Sequence, residues 1–273
     1  MTTTLRPSEP LQRSEDGGSS RRYEVCVNGR PVGAVHLATH RDFGPSVAVV
    51  EELHIEPADR GRGRGAVAAL AAEEVARAWG CTRLQAPVPA GSDHALRLAT
   101  ALGYVERSRA MDKLIGALVP LPQGSASRPM TQAEFESWRA VGREDYARSW
   151  IESGVPAAEA YTKADRDYAR SLPQGRTTKD HVLHVLEHDD VAVGTLWLGL
   201  RKADAWVMSV DVAEEHRSKG HGRTLMHLAE RNAEEAGRDR IGLHVFSRNT
   251  TALRLYASLD YRPIIHHMSK TLV

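Results

Sequence analysis

The C-terminal half of the chain carries the clearest pattern of apolar and polar positions. Trp206, Met208, Val210 and Val212 alternate with Val207, Ser209 and Asp211, a period of two that predicts a strand. Leu225, Leu228, Ala229, Asn232 and Ala236 keep helical spacing until Gly237 stops the run. Upstream, residues 135–149 and 157–172 are helical by propensity, the second stretch closed by Pro173 and Gly175. Residues 182–186 and 191–200 read as strands joined by an acidic turn at Asp189-Asp190. Downstream, 241–246 reads as a strand, 250–259 as a helix and 264–272 as a terminal strand. The N-terminal half follows most of this order from Tyr23 onward, with no counterpart of the two helices at 135–172.

The two halves are copies. Arg60-Gly-Arg-Gly63-Arg-Gly65 is matched by Arg217-Ser-Lys-Gly220-His-Gly222, and His94-Ala-Leu-Arg-Leu98 by Thr251-Ala-Leu-Arg-Leu255. The offset from 60 to 217 and from 94 to 251 is 157 residues in both cases. Leu102, Tyr104, Met111 and Lys113 fall on Leu259, Tyr261, Met268 and Lys270 in the same register. Duplication accounts for a shared register over that span. Residues 1–20, rich in Ser, Thr, Pro and charge, read as a disordered tail, and the Pro- and Ser-rich stretch 119–128 as a linker. The expected domains are therefore 21–118 and 129–273.

Composition narrows the partners. Lys and Arg total 36 against 35 Asp and Glu, so no net field draws the molecule to nucleic acid or an anionic membrane. Cys26 and Cys81 fit no zinc or disulfide spacing, and the N-terminus lacks a signal-peptide core, so a reduced, cytoplasmic protein is expected. The 13 histidines form no H-E-x-x-H or comparable array; His216 and His221 read as loop surface, and His266 and His267 cannot share a strand face. No metal is expected. Nothing in the sequence assigns an oligomeric state.

The chemical signal is a strand, a glycine-rich turn and a helix: Val210-Asp-Val-Ala-Glu-Glu-His-Arg217-Ser-Lys-Gly220-His-Gly222-Arg223-Thr224-Leu225. Such a turn converges backbone N–H groups on an anion at the positive end of a helix, and a pyrophosphate fits there. Arg217, Lys219 and Arg223 add side-chain charge suited to phosphate oxygens. The turn is neither a P-loop, which needs Gly-Lys-Ser/Thr, nor a dinucleotide fingerprint, which needs a third glycine.

With Val245-Phe246-Ser-Arg-Asn249 and Ala252-Leu-Arg-Leu255-Tyr256-Ala-Ser-Leu259-Asp260-Tyr261 added in the right order, the chain resembles the GNAT family of N-acetyltransferases. The front of the second copy, from Met130-Thr-Gln-Ala-Glu-Phe through Tyr146 to Leu172-Pro-Gln-Gly175, resembles the start of a bacterial branch of that family. The resemblance implies an α/β (α+β) fold of two tandem domains, each a mixed, mostly antiparallel central sheet flanked by helices. It implies acetyl-CoA (or another acyl-CoA) as co-substrate and a primary amine of a small molecule or peptide as acceptor. The backbone of Arg217, Ser218, Lys219, Gly220, His221 and Gly222 would hold the pyrophosphate, with Arg223 beside it, and the strand at Val210 and Val212 the pantetheine arm. A backbone N–H near Val212 would polarise the thioester carbonyl. Asn249 would bond the cofactor arm, and Tyr256 would protonate the departing thiolate.

Each assignment has a structural alternative. Asn249 directly precedes a helix and fits an N-cap, Tyr256 fits core packing four residues after Ala252, and Asp211 fits either amine deprotonation or a surface carboxylate. Glu144, Tyr146 and Trp150 are acceptor candidates by position alone. In the first copy Ala99 stands for Tyr256 and Ser92 for Asn249, while Arg60, Gly61, Arg62, Gly63, Arg64 and Gly65 keep the loop. That copy is expected to be catalytically silent yet able to bind an acyl-CoA. Two other readings stand beside a working transferase: an acyl-CoA sensor or scaffold, and a transferase taking its group from charged tRNA, against which the balanced charge counts.

Overall fold

The computed structural model describes residues 2–15 and 17–272. The chain divides into two compact units, one formed by Met1–Ser108 with Ile265–Val273 and the other by Arg109–Ile264. Among the described residues no helix is long and apolar enough to cross a membrane.

The first repeat supplies β1 (Thr3–Pro7), β2 (Gln12–Arg13), β3 (Ser19–Val27), β4 (Arg30–His40), β5 (Gly44–Ile55), α1 (Arg64–Ala78), β6 (Arg83–Pro89), α2 (Asp93–Ala101) and β7 (Val105–Leu114). The second supplies β8 (Ser125–Pro129), α3 (Gln132–Ile151), α4 (Ala157–Ser171), β9 (His181–His188), β10 (Val191–Leu200), β11 (Ala205–Val212), α5 (His221–Glu235), β12 (Arg240–Phe246), α6 (Thr250–Ala257) and β13 (Arg262–Thr271). In the first unit the strands run β1-β3-β4-β5-β6-β13, with β2 beside β3; in the second they run β7-β12-β11-β10-β9-β8. The ladders β1-β3-β4-β5 and β11-β10-β9-β8 are antiparallel, and β5 with β6 and β11 with β12 are parallel pairs across which a helix returns the chain. Beneath α1 lie Val25, Val35, Leu37 and Leu84; beneath α5 lie Leu196, Val207, Ile241 and Leu243, all buried. Alanines at 68, 72 and 76 face the first of these cores, and a stripe that small lets α1 lie close on the strands.

Three expectations change. The N-terminal segment forms strands: β1 pairs with β3 from Thr3↔Val27 to Pro7↔Tyr23, and Leu5 packs on the core. A polar segment gains order here by filling a sheet edge, whose open N–H and C=O groups reward backbone pairing whatever the side chains. The stretch read as a linker ends in β8, paired antiparallel to β9, with Pro129 closing an outer strand where its missing N–H costs nothing. And β11 does not alternate uniformly. Trp197 faces Ser209 and Leu198 faces Val207, so Met208 is an extra residue, a bulge. The slip places Val207, Val210 and Val212 on the core face and parts Trp206 from them. In β5 the register skips Glu51 between His36↔Glu52 and Leu37↔Val50, and 51 to 208 is again the repeat offset of 157.

The unit boundaries also cut across the repeats. Most of β7 belongs to the second unit and most of β13 to the first, so the repeats have exchanged their last strands. A buried cluster marks each exchange. Glu73 on α1, 2% exposed, accepts from Lys270 Nζ at 2.8 and 2.7 Å and from the Tyr104 hydroxyl. Glu230 on α5, 4% exposed, accepts from Lys113 Nζ at 3.1 Å and from the Tyr261 hydroxyl at 3.4 Å. Each buried carboxylate thus receives its lysine from the other repeat.

Candidate active site

In the second unit β11 and β12 pair only from Ala205↔Ile241 to Val207↔Leu243, although both continue, to Val212 and Phe246. Beyond Val207 the two strands part. Ala213 N–H bonds Val193 O at 3.0 Å, so by the alternation of an antiparallel ladder Asp211 turns its N–H toward β10, while Val210 and Val212 turn theirs into the gap. Close approach of β10 sharpens this geometry: a side chain at Gly194 would meet the Asp211 carbonyl at 2.5 Å. Gly194 was not singled out in the sequence.

The turn after β11 continues the line of donors. Ser218 and Gly220 take positive φ, 64° and 91°, and no protein acceptor meets the N–H groups of residues 218–222 among the described residues. Those amides open at the N-terminus of a 15-residue helix, as an anion site requires. Arg217 is a brace as well as a charge, its Nε donating to Val212 O at 3.3 Å. Arg223 donates to the Ser258 hydroxyl at 2.7 Å. His221, read as loop surface, is buried: it is the first residue of α5 and turns inward, its ring 5.1 Å from that of His188 and 6.1 Å from that of His216. Burial, with those rings and Lys219 adding to it, lowers its pKa and keeps it neutral.

Asn249 is the N-cap of α6, its Oδ1 accepting from Ala252 N at 3.1 Å, and its amide nitrogen has no partner among the described residues. Tyr256, half-buried on that helix, packs 5.9 Å from the Tyr261 ring and lends its edge to the core, yet its hydroxyl has no partner among the described residues. Burial, and the charge of Asp211, push the Tyr256 phenol up to about 12, so it is protonated at neutral pH. Asp211 reaches solvent at its edge but is crowded by protein. Burial raises its carboxyl above the ordinary range against a hydrogen bond from Ser209, with Asp145 raising it further and Arg217 opposing.

The face of the sheet opposite α5 is walled by α3 and α4, which the first repeat lacks. A capping box starts α3, Thr131 accepting from Glu134 N at 3.3 Å while Glu134 takes the Thr131 N–H at 2.8 Å. Of the three positional candidates, Glu144 accepts from Tyr161 at 2.6 Å and Tyr146 donates to Asp167 at 2.9 Å. Trp150 is buried edge-on against Phe246 at 5.1 Å. These are packing and helix-pairing roles. Tyr168 on α4 lies 5.3 Å from the Trp197 ring, and burial, with the charges of Asp211 and Asp145 adding to it, raises its phenol. Its only sequence signal was indirect: Gly142, a costly residue inside a helix, lies beneath its hydroxyl.

The first unit keeps half of this. β5 and β6 pair only from Val47↔Arg83 to Val49↔Gln85, Glu56 N bonds Val32 O at 2.9 Å, and Arg60 Nε braces Ile55 O at 2.7 Å. Gly61 and Gly63 take φ of 72° and 74°, and residues 61–65 keep open amides among the described residues. Arg64, however, is buried in an ion pair with Asp59, which Arg30 also holds at 3.1 and 2.8 Å. At the repeat offset Asp59 and Arg64 become His216 and His221. Ala99, where the second repeat has Tyr256, is buried and brings no hydroxyl.

Two strands thus part over a row of open amides that ends at a helix N-terminus, the arrangement on which the chain's resemblance to a family can be tested. The sequence model of the acetyltransferase (GNAT) family matches residues 3–104 and again 141–261. The chain belongs to the GNAT family, as a tandem member. It is 28% identical to the mycothiol acetyltransferase of Beutenbergia cavernae over 93% of this chain and 90% of that protein. It is 31% identical to the uncharacterised N-acetyltransferase YdgE of Bacillus subtilis over 52% of this chain and 95% of that protein. In fold it is similar to a GCN5-related N-acetyltransferase from Sphaerobacter thermophilus, with a TM-score of 0.60 at 19% identity over 92% of this chain and 80% of that one.

Proposed function

We propose that the second unit transfers an acetyl group from acetyl-CoA to a primary amine of a small molecule or peptide, by direct attack in a ternary complex. The observation that carries the reading is the uncommitted, protonated Tyr256 hydroxyl in the unit whose parted strands expose open amides. The amides of residues 218–222 hold the pyrophosphate, Val210 pairs with the pantetheine arm, and the Val212 N–H polarises the thioester carbonyl. The Asn249 amide nitrogen steadies the arm while its oxygen caps α6. The amine nitrogen bonds the acyl carbon as the C–S bond breaks. Asp211 takes the surplus proton from nitrogen, and Tyr256 gives one to sulfur. Proximity and carbonyl polarisation supply most of the rate, without a covalent acyl-enzyme.

The first unit is catalytically silent in this reading, with Ala99 and Ser92 where the second has Tyr256 and Asn249, and its open amides fit an acyl-CoA held without turnover. The test is thiol release from acetyl-CoA across an amine panel. Tyr256→Phe is expected to lower kcat roughly 10²- to 10⁴-fold, the range for a general acid, with little change in the KM for acetyl-CoA. Undiminished turnover in that variant removes Tyr256 as the acid; release with no amine in the wild type removes the transferase reading.

A further inference from the structure

The carboxylate that takes the amine's proton is itself held by a neighbouring hydroxyl. Ser209 and Asp211 lie two residues apart on β11 and share the face of the sheet toward the α3–α4 wall, since Ser209 stands directly opposite Trp197, whose ring packs with Phe135, Trp138 and Tyr168 of that wall. Trp197 is a fixed neighbour, its Nε1 donating to His181 Nδ1 at 2.9 Å and Trp138 standing edge-on at 5.4 Å. Ser209 Oγ donates to Asp211 Oδ2, and among the described residues neither that hydroxyl nor the second carboxylate oxygen, Oδ1, has another hydrogen bond. The strand does not need this pair to form. At the repeat offset the first unit has Glu52 and His54 instead, and Glu52 is drawn away to Arg22 at 2.9 Å.

Resting on the transferase reading, the geometry points to Ser209 as the positioning residue of Asp211: its O–H engages one carboxylate oxygen and leaves the other for the acceptor nitrogen. The amine N–H bonds Oδ1, the nitrogen lone pair attacks the acyl carbon, and the surplus proton passes to Oδ1 while Ser209 keeps its bond to Oδ2. A hydroxyl bond favours a carboxylate over its neutral acid, so Ser209 also keeps the base available at lower pH, against the burial that raises it. The other charges acting on Asp211 are Asp145 on α3, which raises it further, and Arg217 in the turn, which lowers it. The phenols of Tyr168 on α4 and Tyr256 on α6 are held above their ordinary value and stay neutral, and Thr195, opposite Asp211 on β10, does not titrate.

The full-length enzyme is assayed for thiol release from acetyl-CoA with phenethylamine, 1,4-diaminobutane and a lysyl dipeptide, and the fastest of these is followed from about pH 5 to 9. Each variant is compared with wild type on the same amine, which cancels the amine's own titration. Ser209→Ala is expected to move the acidic limb of kcat/KM for the amine up by roughly 0.5–1 pH unit and to lower its plateau about three- to tenfold, with the KM for acetyl-CoA unchanged. Ser209→Thr, which keeps the hydroxyl and suits a strand, is expected to restore both. In an Asp211→Asn background Ser209→Ala is expected to change nothing further, since the group it positions no longer takes a proton. A limb and plateau that stay in place in Ser209→Ala, a loss that persists in the Asp211→Asn background, or one that Ser209→Thr does not restore, overturns the assignment and leaves the transferase reading intact. Absence of thiol release with every amine in the wild type overturns both.

Discussion

Replacing Lys270 by Met should loosen the first unit, although residue 270 lies at the far end of the second repeat. Glu73 is 2% exposed and draws two contacts of 2.8 and 2.7 Å from Lys270; its other cation, Arg77, stands at 3.8 Å. Taking one partner from a buried pair costs roughly 3–5 kcal/mol. Lys270 keeps about a fifth of its side chain in water and Arg77 stays behind, so about 2–3 kcal/mol is expected, roughly a 30- to 150-fold rise in the opening equilibrium of that unit. Hydrogen exchange read peptide by peptide is the assay. Protection should fall across residues 1–108 in Lys270→Met and across 109–264 in Lys113→Met, which strips Glu230 in the same way. Adding Glu73→Met to Lys270→Met should recover most of the loss, since a buried pair replaced by apolar groups is near neutral. Loss of protection confined to 109–264 in Lys270→Met, or a cost under about 1 kcal/mol, would refute the buried-cluster account.

Two further outcomes follow from the second unit. The carboxyl of Asp211 is raised, so the rate should fall on acidification through a pKa above the ordinary 3.8 and Asp211→Asn should lack that limb at a lower plateau. Because a raised carboxylate loses stability as pH climbs through its folded pKa, the same variant should melt higher than wild type at pH 7, and a lower melting temperature would contradict the crowding described for it. Gly220→Ala meets no atom within 4 Å but is forced to a φ of 91°, a strain of about 1–2 kcal/mol; the KM for acetyl-CoA should rise several-fold with kcat nearly constant, and an unchanged KM would separate the loop from the donor.

The sequence was most informative where chemistry and local geometry coincide. Glycines at 220 and 222 announced a turn that opens amides, and the helix behind it announced itself by spacing. Asn249 was legible as a cap because capping is a relation among neighbours. What stayed hidden was set by partners far along the chain. Nothing local marks Met208 as a bulge, because its alternation continues smoothly until the register with β10 is known. Thr3–Pro7 looked featureless because its order comes from the β3 edge. Met111 and Lys113 are so nearly the residues at Met268 and Lys270 that the pattern announces a strand but not whose sheet it joins. Tyr168 acquires its neighbours only when α4 packs on α3.

The exchange of β7 and β13 also sets an order on the ribosome. The first unit needs Ile265–Val273, which is made after 109–264, so its sheet waits with β6 uncapped while all of 109–264 is synthesised. At bacterial-to-eukaryotic elongation rates of about 5–20 residues per second that is an interval on the order of 10–30 s. The second unit has no such wait, since its borrowed strand is already out. The unit begun earlier is therefore finished later, and the unit proposed to do the chemistry can be complete before the other has closed.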